Sequence, residues 1–345
     1  MSLSVPPVPK TIEELEELLS RPTEAVIETF RRVEGDVLFL GAGGKIGPSL
    51  ARMAARASRA AGAPRRIFAA ARFSSPVVAE TLRAEGIEPI RCDLLDPAAR
   101  SELPDIANVF YLAAMKFGAT GQEATTWAMN SFLPGAICEK YGRSRLVAYS
   151  TGNVYPLWPA GSGGPRESDP VGPIGEYAMS CLGRERVVQH FSRRNAMPAA
   201  ILRLNYAHDL RYGVMTDIAL EILAGRPIDL AMGHFNAIWQ GDSNAMTLRA
   251  LEHAAVPPGL FNLAGPELSV RAVAEQLGRF LEREVRFAGA ESSDALLSNG
   301  ELGRTILGQP TVAVDTLIAW VAQWLRQGGA TLNKPTKFQA RDGKF

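Results

Sequence analysis

The sequence predicts a doubly wound parallel α/β sheet carrying a smaller α/β lobe toward the C-terminus. Three observations predict it. From Gly35 onward, short apolar runs alternate with amphipathic helices, the pattern of strands covered on both faces. The first run, Val37–Leu40, ends in glycines at 41, 44 and 47 and opens onto an alanine-rich helix from Leu50 to Ala57. With 345 residues the chain is long enough for one sizeable sheet domain plus a lobe.

The elements follow in order. Thr11 with Glu14 reads as a capping box opening a helix from Ile12 to Leu19, and Pro22-Thr23 restarts a helix through Arg31. Strands are expected at Val37–Leu40, Ile67–Ala71, Ile87–Cys92, Val109–Ala113, Arg145–Ser150 and Ala199–Leu204. Ser75-Pro76 and Asp96-Pro97 begin the helices after the second and third. A long helix is expected from Glu123 to Lys140. Another runs from Tyr177 to Arg194, after a Gly/Pro-rich loop from Tyr155 to Gly175. Beyond residue 205 the alternation loosens into helices at Thr216–Ala224, Ala245–His253, Val270–Leu281 and Val314–Arg326. Trp320 and Trp324, four apart on the last of these, read as core.

The organisation expected is a helical extension over 1–34 and a sheet domain over 35–205, with strands added from 235–265. Residues 206–234 and 266–333 form the lobe, and 334–345 a loosely held polar tail. No internal repeat is visible.

Composition narrows the function. Lys and Arg total 37 against 36 Asp and Glu, so no overall field favours nucleic acid or anionic membrane. No apolar run reaches membrane-spanning length, and Met1 to Lys10 lacks the order of a secretory signal. Cys92, Cys138 and Cys181 are odd in number and widely spaced, which suggests neither a disulfide framework nor a zinc site and fits a reducing cytoplasm. The four histidines, at 190, 208, 234 and 253, show no metal spacing, and no metal is expected.

The glycine turn carries the first chemistry. Gly41 allows the tight turn, Gly44 lets a pyrophosphate approach the backbone, and Gly47 lets helix pack on strand. The phosphates would lie over the helix N-terminus, where free N–H groups and the dipole favour an anion. A dinucleotide site is expected. The second strand ends Ala70-Ala71-Arg72-Phe73-Ser74, with an arginine where an acid would grip the ribose hydroxyls of NAD. Arg72 and Ser74 suit a 2′-phosphate, so NADP is favoured over NAD.

Further segments agree in order and spacing. Asp93-Leu94 follows the third strand, Tyr111-Leu112-Ala113-Ala114 ends the fourth, and Ser150-Thr151-Gly152-Asn153-Val154-Tyr155 ends the fifth, with Tyr177 on the next helix. Together with Gly41-x-x-Gly44-x-x-Gly47 this resembles the extended short-chain dehydrogenase/reductases, the NAD(P)-dependent sugar epimerases and dehydratases with a Rossmann-like fold. The likeness runs from Val37 to Ala264 and more weakly to Gly308. It implies hydride transfer by an oxidoreductase or epimerase. Gly41, Gly43, Gly44, Lys45, Ile46, Gly47, Arg72, Ser74, Asp93, Leu94, Leu112, Ala113, Ala114, Asn130 and Cys181 would line the cofactor. It further implies Thr151 on the substrate oxygen, Tyr177 as acid/base, and Glu167 at the place of a family acid. A homodimer is also implied, through helices carrying Trp127, Met129, Phe132, Ile137, Val187 and Val188.

Two departures matter. The family helix reads Tyr-x-x-Ser-Lys, and this chain reads Tyr177-Ala178-Met179-Ser180-Cys181. The lysine lowers the tyrosine pKa, and a thiol does not replace an ammonium. Three readings stay open: binding without turnover, as in a sensor or scaffold; a cation from elsewhere, with Lys116 in the loop Met115-Lys116-Phe117-Gly118 as the candidate; or a reaction needing no tyrosinate. The second departure is an arginine, which in the family precedes the Asp ending the strand Ile238–Asp242 and grips a sugar-nucleotide diphosphate. Here the stretch is His234-Phe235-Asn236-Ala237. Its loss leans toward a small sugar, sugar acid or other carbonyl compound rather than a nucleotide sugar, although Arg211 or Arg249 could compensate. Asn153, Asn205, His208 and Arg211 are the candidate substrate contacts.

Overall fold

A computed structural model describes residues 7–116 and 118–344. Met1 to Pro6, the loop residue Phe117 and the last tail residue Phe345 lie outside the described residues. Two helices come first, α1 (Ile12–Leu19) and α2 (Glu24–Arg32). Thr11 and Thr23 cap them by accepting from the N–H groups of Glu14 and Val26, and the Glu14 carboxylate reaches back to the Lys10 N–H at 2.6 Å.

Seven strands then build one parallel sheet: β1 (Val37–Leu40), β2 (Ile67–Ala71), β3 (Glu88–Arg91), β4 (Asn108–Tyr111), β5 (Arg145–Thr151), β6 (Ala199–Leu204) and β7 (Gly259–Leu263). Their spatial order is β7-β6-β5-β4-β1-β2-β3, a Rossmann-like arrangement. The chain winds outward from β1 to β3, crosses back to β4 and winds the other way. The crevice between β1 and β4 is therefore the switch point where such sheets take ligands. β1 and β4 are buried throughout, and the Phe39 and Phe110 rings stack across them at 4.7 Å.

Helices cover both faces. On one lie α2, α3 (Gly47–Ala60) and α10 (Gln240–Arg249). On the other lie α7 (Leu133–Lys140) and α8 (Gly175–Asn195). The lobe has a core of its own, built on α9 (Val214–Leu223), α11 (Val270–Leu281) and α13 (Val314–Arg326) with α1. Trp320 and Trp324 lie in that core, the former edge-on to Trp239 at 5.5 Å.

Four expectations are corrected. The helix expected from Glu123 to Lys140 contains a π-helical turn, Ala128–Phe132, between α6 (Glu123–Trp127) and α7. Ser75 precedes α4 (Pro76–Ala84) without a side-chain cap, whereas Asp96 does accept from the Ala98 N–H. The strand expected over Ile238–Asp242 stops at Trp239, and Gln240 already begins α10. Asp242 holds the lobe instead, accepting from the N–H groups of Thr311 and Val312 and the Thr311 hydroxyl. Last, residues 334–344 are no loose tail. Thr336 bonds Asp217 through both its N–H and its hydroxyl, Phe338 is buried beside Phe235, and Arg341 bonds Asp294. A short polar sequence gave no sign of these partners, which come from distant parts of the chain.

Candidate active site

Each glycine of the β1 turn has a visible reason. Gly41 takes φ +90°, and a Cβ there would sit 2.7 Å from the Ala113 nitrogen at the end of β4. A Cβ on Gly47 would meet the Ala42 carbonyl oxygen at 2.4 Å. Gly44 differs: it is exposed, and a Cβ would find only the Gly41 oxygen, at 3.7 Å. Among the described residues nothing else fills that face, and no side chain caps the α3 N-terminus beside it. These residues fit a dinucleotide pyrophosphate. Gly43 and Ile46 complete the turn. Lys45 leaves it: its ammonium donates to the Ala207 carbonyl at 2.6 Å and lies 4.4 Å from the centre of the Tyr212 ring. Burial draws its pKa down to about 8, partly countered by Asp209.

The adenosine end is open. Arg72, Ser74 and Asp93 are exposed at the carboxyl ends of β2 and β3, and Leu94 is buried behind Asp93. Phe73, with φ 45°, places the Arg72–Ser74 turn beside Gly43. Asp93 accepts from the Leu95 N–H, which fixes its carboxylate.

At the end of β4, the Leu112 N–H continues the sheet by bonding the Leu40 carbonyl. Ala113 packs on Gly41 and Ala114 is exposed. The next residue is clamped by the π-helical turn. Asn130 accepts from the Met115 N–H at 2.9 Å and donates to the Met115 carbonyl at 3.0 Å. Arg184, buried on α8, donates to the Asn130 carbonyl, to its side-chain oxygen and to the Tyr149 carbonyl. Asn130 therefore holds the loop that carries Lys116.

Lys116 comes to Tyr177. Its ammonium lies 5.7 Å from the Tyr177 ring centre and 5.6 Å from that of Tyr206. Burial lowers its pKa to about 8, while the Cys181 thiol favours the charged form. Thr151 bonds Asn153 and Tyr177. Burial first, and then Cys181, push the Tyr177 hydroxyl well above its usual range, while Arg184 and Thr151 pull it back. The Cys181 thiol is itself raised by burial and bonded to Tyr177. Thr151, Tyr177, Cys181 and Lys116 thus form one cluster at the carboxyl edge of the sheet.

The candidate substrate contacts divide. Asn153 belongs to the cluster. Asn205 lies at the end of β6, bonded to Asn236 and Ser298. The expectation for His208 is corrected: its ring is fully buried against Gly213, and its Nε2 accepts from the Met215 N–H at the start of α9. Burial, reinforced by Lys45, lowers its pKa to about 3. Arg211 is likewise engaged, with Asp209 and with Glu16 of α1 at 2.7 Å. Arg249 ends α10 against Gly308. Glu167 accepts from the Asn262 N–H at 2.7 Å, a structural bond.

Sequence reasoning missed Arg184, Tyr206 and a buried ion pair beneath Thr151. Glu185 takes both the Ser150 hydroxyl and a bidentate grip from Arg203, which also donates to Tyr155. The spacing of Tyr177 and Arg184, two helical turns apart, was the available signal for the first.

Among the described residues no group of His, Cys, Asp or Glu could hold a metal, and no helix is long and apolar enough to cross a membrane. The profile of the NAD-dependent epimerase/dehydratase family matches residues 37–231. The chain belongs to that family. Solved structures similar to this chain include a UDP-glucuronic acid 4-epimerase from Bacillus cereus in complex with UDP-glucuronic acid and NAD. It is 18% identical, with a TM-score of 0.70 over 85% of this chain and 99% of that one. A dTDP-glucose 4,6-dehydratase from Bacillus anthracis in complex with NAD is 14% identical, with a TM-score of 0.69 over 85% and 97%. A short-chain dehydrogenase/reductase superfamily protein from Agrobacterium tumefaciens with bound NAD is 20% identical, with a TM-score of 0.69 over 85% and 98%. At these identities the likeness is one of fold. No curated protein sequence matches this chain.

Proposed function

We propose that this chain is an NAD(P)-dependent oxidoreductase or epimerase acting on a small sugar, sugar acid or related compound, with Lys116 in the role of the missing helix lysine. The observation that carries it is the Lys116 ammonium set over the Tyr177 ring in a chain whose helix has Cys181 at the lysine position. Gly41 to Gly47, Asp93 and Ala113 would hold the cofactor, and Arg72 with Ser74 favours the 2′-phosphate form. When bound there, the cofactor would supply hydride transfer to or from the substrate carbon. Thr151 donates to the substrate oxygen, and Tyr177 takes its proton during oxidation and returns it during reduction. An ammonium over the ring face favours the electron-rich phenolate over the phenol, so Lys116 eases that transfer. The substrate reading is supported by the engagement of two candidate diphosphate partners elsewhere: Asn236 is committed to Gly265 and Ser298, and Arg211 to Asp209 and Glu16. A homodimer through α6 to α8 belongs to the same reading. Phe132 and Trp127 stay exposed there, while Ile137 and Val188 face the sheet. Light scattering should give twice the chain mass.

The raised hydroxyl of Tyr177 and its bond to Cys181 favour a second reading, a dinucleotide-binding sensor without turnover. A swap separates the two. Lys116→Met should cut turnover by roughly 100-fold, a general acid–base loss, with dinucleotide affinity kept. Adding Cys181→Lys to it should restore much of the rate. If the wild type has no turnover and Cys181→Lys alone creates it, the sensor reading stands instead.

A further inference from the structure

The C-terminal segment reaches this cluster. Its course is fixed at both ends and between. Thr336 is tied to Asp217 of α9 by two bonds, at 2.7 and 2.6 Å. Phe338 is buried in the lobe core beside Phe235. Arg341 donates to the Ala231 carbonyl, to the Asp294 carbonyl and to the Asp294 carboxylate. Ala340 leaves the lobe and packs against the cluster formed by Ala119, Val154, Tyr155, Tyr177 and Cys181. Gly343 then meets the first residue of α8: a Cβ on Gly343 would sit 2.2 Å from the Ile174 oxygen, and one on Gly175 2.7 Å from the Gly343 oxygen. Within about ten residues the segment thus touches both walls of the cleft, the lobe at Ala231 and Asp294 and the sheet domain at Ala119 and Gly175.

We propose that Lys334–Lys344 is a strap that sets substrate size, closing the cleft so that a small sugar-like molecule fits beside Tyr177 and a nucleotide-linked one does not. The proposal rests on the functional reading above and deepens it. Backbone-to-backbone contact at Gly175 and Gly343 leaves no room for a side chain, so a larger ligand reaching past this seam would have to part it. The anchors differ in kind. Phe338 is held by apolar burial, whereas the end beyond it is held by Arg341 and by the glycine contact. The end can lift while the base stays seated.

The test compares wild type, Gly343→Val, Arg341→Ala and a chain ending at Asn333. Gly343→Val and Arg341→Ala keep Phe338 and its socket, so they remain informative if the shortened chain folds poorly. Each is assayed in the presence of NADP or NAD for binding of UDP-glucuronic acid and of free glucuronic acid, by calorimetry. Amide exchange at 175–179 is followed without any ligand. Lifting the strap should strengthen UDP-glucuronic acid binding at least tenfold relative to glucuronic acid, and should speed exchange at the start of α8. An unchanged ratio with faster exchange overturns the strap as a size filter. Unchanged exchange overturns the contact itself. A wild type that binds neither dinucleotide is the separate failure of the functional reading, and it leaves the exchange result to judge the contact.

Discussion

The glycines of the β1 turn differ in what a side chain would cost them. Gly41 and Gly47 are excluded from change by the protein's own backbone, whereas Gly44 faces open space. Gly44→Asp should therefore fold normally and lose dinucleotide binding, since a carboxylate there repels a pyrophosphate. Calorimetry showing unchanged affinity would remove the site assignment. Arg72→Ala should weaken NADP by roughly tenfold, the worth of one charge-assisted bond, and leave NAD nearly as it was. Equal losses would end the argument for a 2′-phosphate. The Glu185–Arg203 pair is buried at 2.8 Å beneath Ser150. Arg203→Met strands a carboxylate in the core, which costs about 3–5 kcal/mol, and should appear as a large fall in the melting temperature with the dinucleotide site intact.

At the scale of elements, the informative piece is the π-helical turn between α6 and α7. It directs Asn130 inward to seize both backbone groups of Met115 while Arg184 braces it from α8. Asn130→Leu leaves those groups unpaired in a buried place, at about 1–3 kcal/mol. It should slow turnover more than the stability loss explains, because it frees the Lys116 loop. A turnover rate matching wild type would show that the clamp is irrelevant to Lys116. This turn also marks what the sequence could not reveal. Apolar spacing from Glu123 to Lys140 is helical throughout, and one extra residue per turn leaves no compositional trace. Strands were legible because β1 and β2 are continuous apolar runs bounded by turn residues, and β6 is one broken only at Arg203. Ile238–Asp242 misled because Gln240 and Asp242 are buried through long-range hydrogen bonds, not through a strand's alternation. Lys116 was legible only by its place after the alanine pair. Arg211 and His208 were misread because their partners, Glu16 and Met215, meet them only in the folded chain.

For the whole molecule, the buried titrating groups give stability a particular pH profile. His208 is held neutral, with a folded pKa near 3 against an unfolded value of about 6.5. The unfolded chain takes up that proton first, so stability present above pH 6.5 is lost as the pH falls toward 3. Lys45 and Lys116, both lowered to about 8, work in the same direction in a higher pH window. Between pH 8 and about 10.5 the unfolded chain holds protons that the folded one has released, so stability rises there. Buried Tyr111 and Tyr149, raised above their usual range by burial, reverse the trend once the unfolded phenols ionise. Urea melts of the cofactor-free protein should show unfolding free energy rising from pH 5 to pH 9, with a smaller gain above pH 8 in Lys45→Met. A flat profile would show that these groups are solvated. The back of the molecule constrains motion as well. Glu16 of α1 accepts from Arg52 of α3 and from Arg211 of the lobe, and Asn244 of α10 donates to the Leu19 carbonyl and the Ser49 hydroxyl. These partners are largely sheltered from water, so salt weakens them little. They tie the lobe to the sheet domain through α1 and α10. If the strap proposed above gates the site, entry and exit need only its few residues to lift, a movement of about nanoseconds to microseconds where hinged domains take about microseconds to milliseconds, and ligand release would not wait for a whole lobe to move.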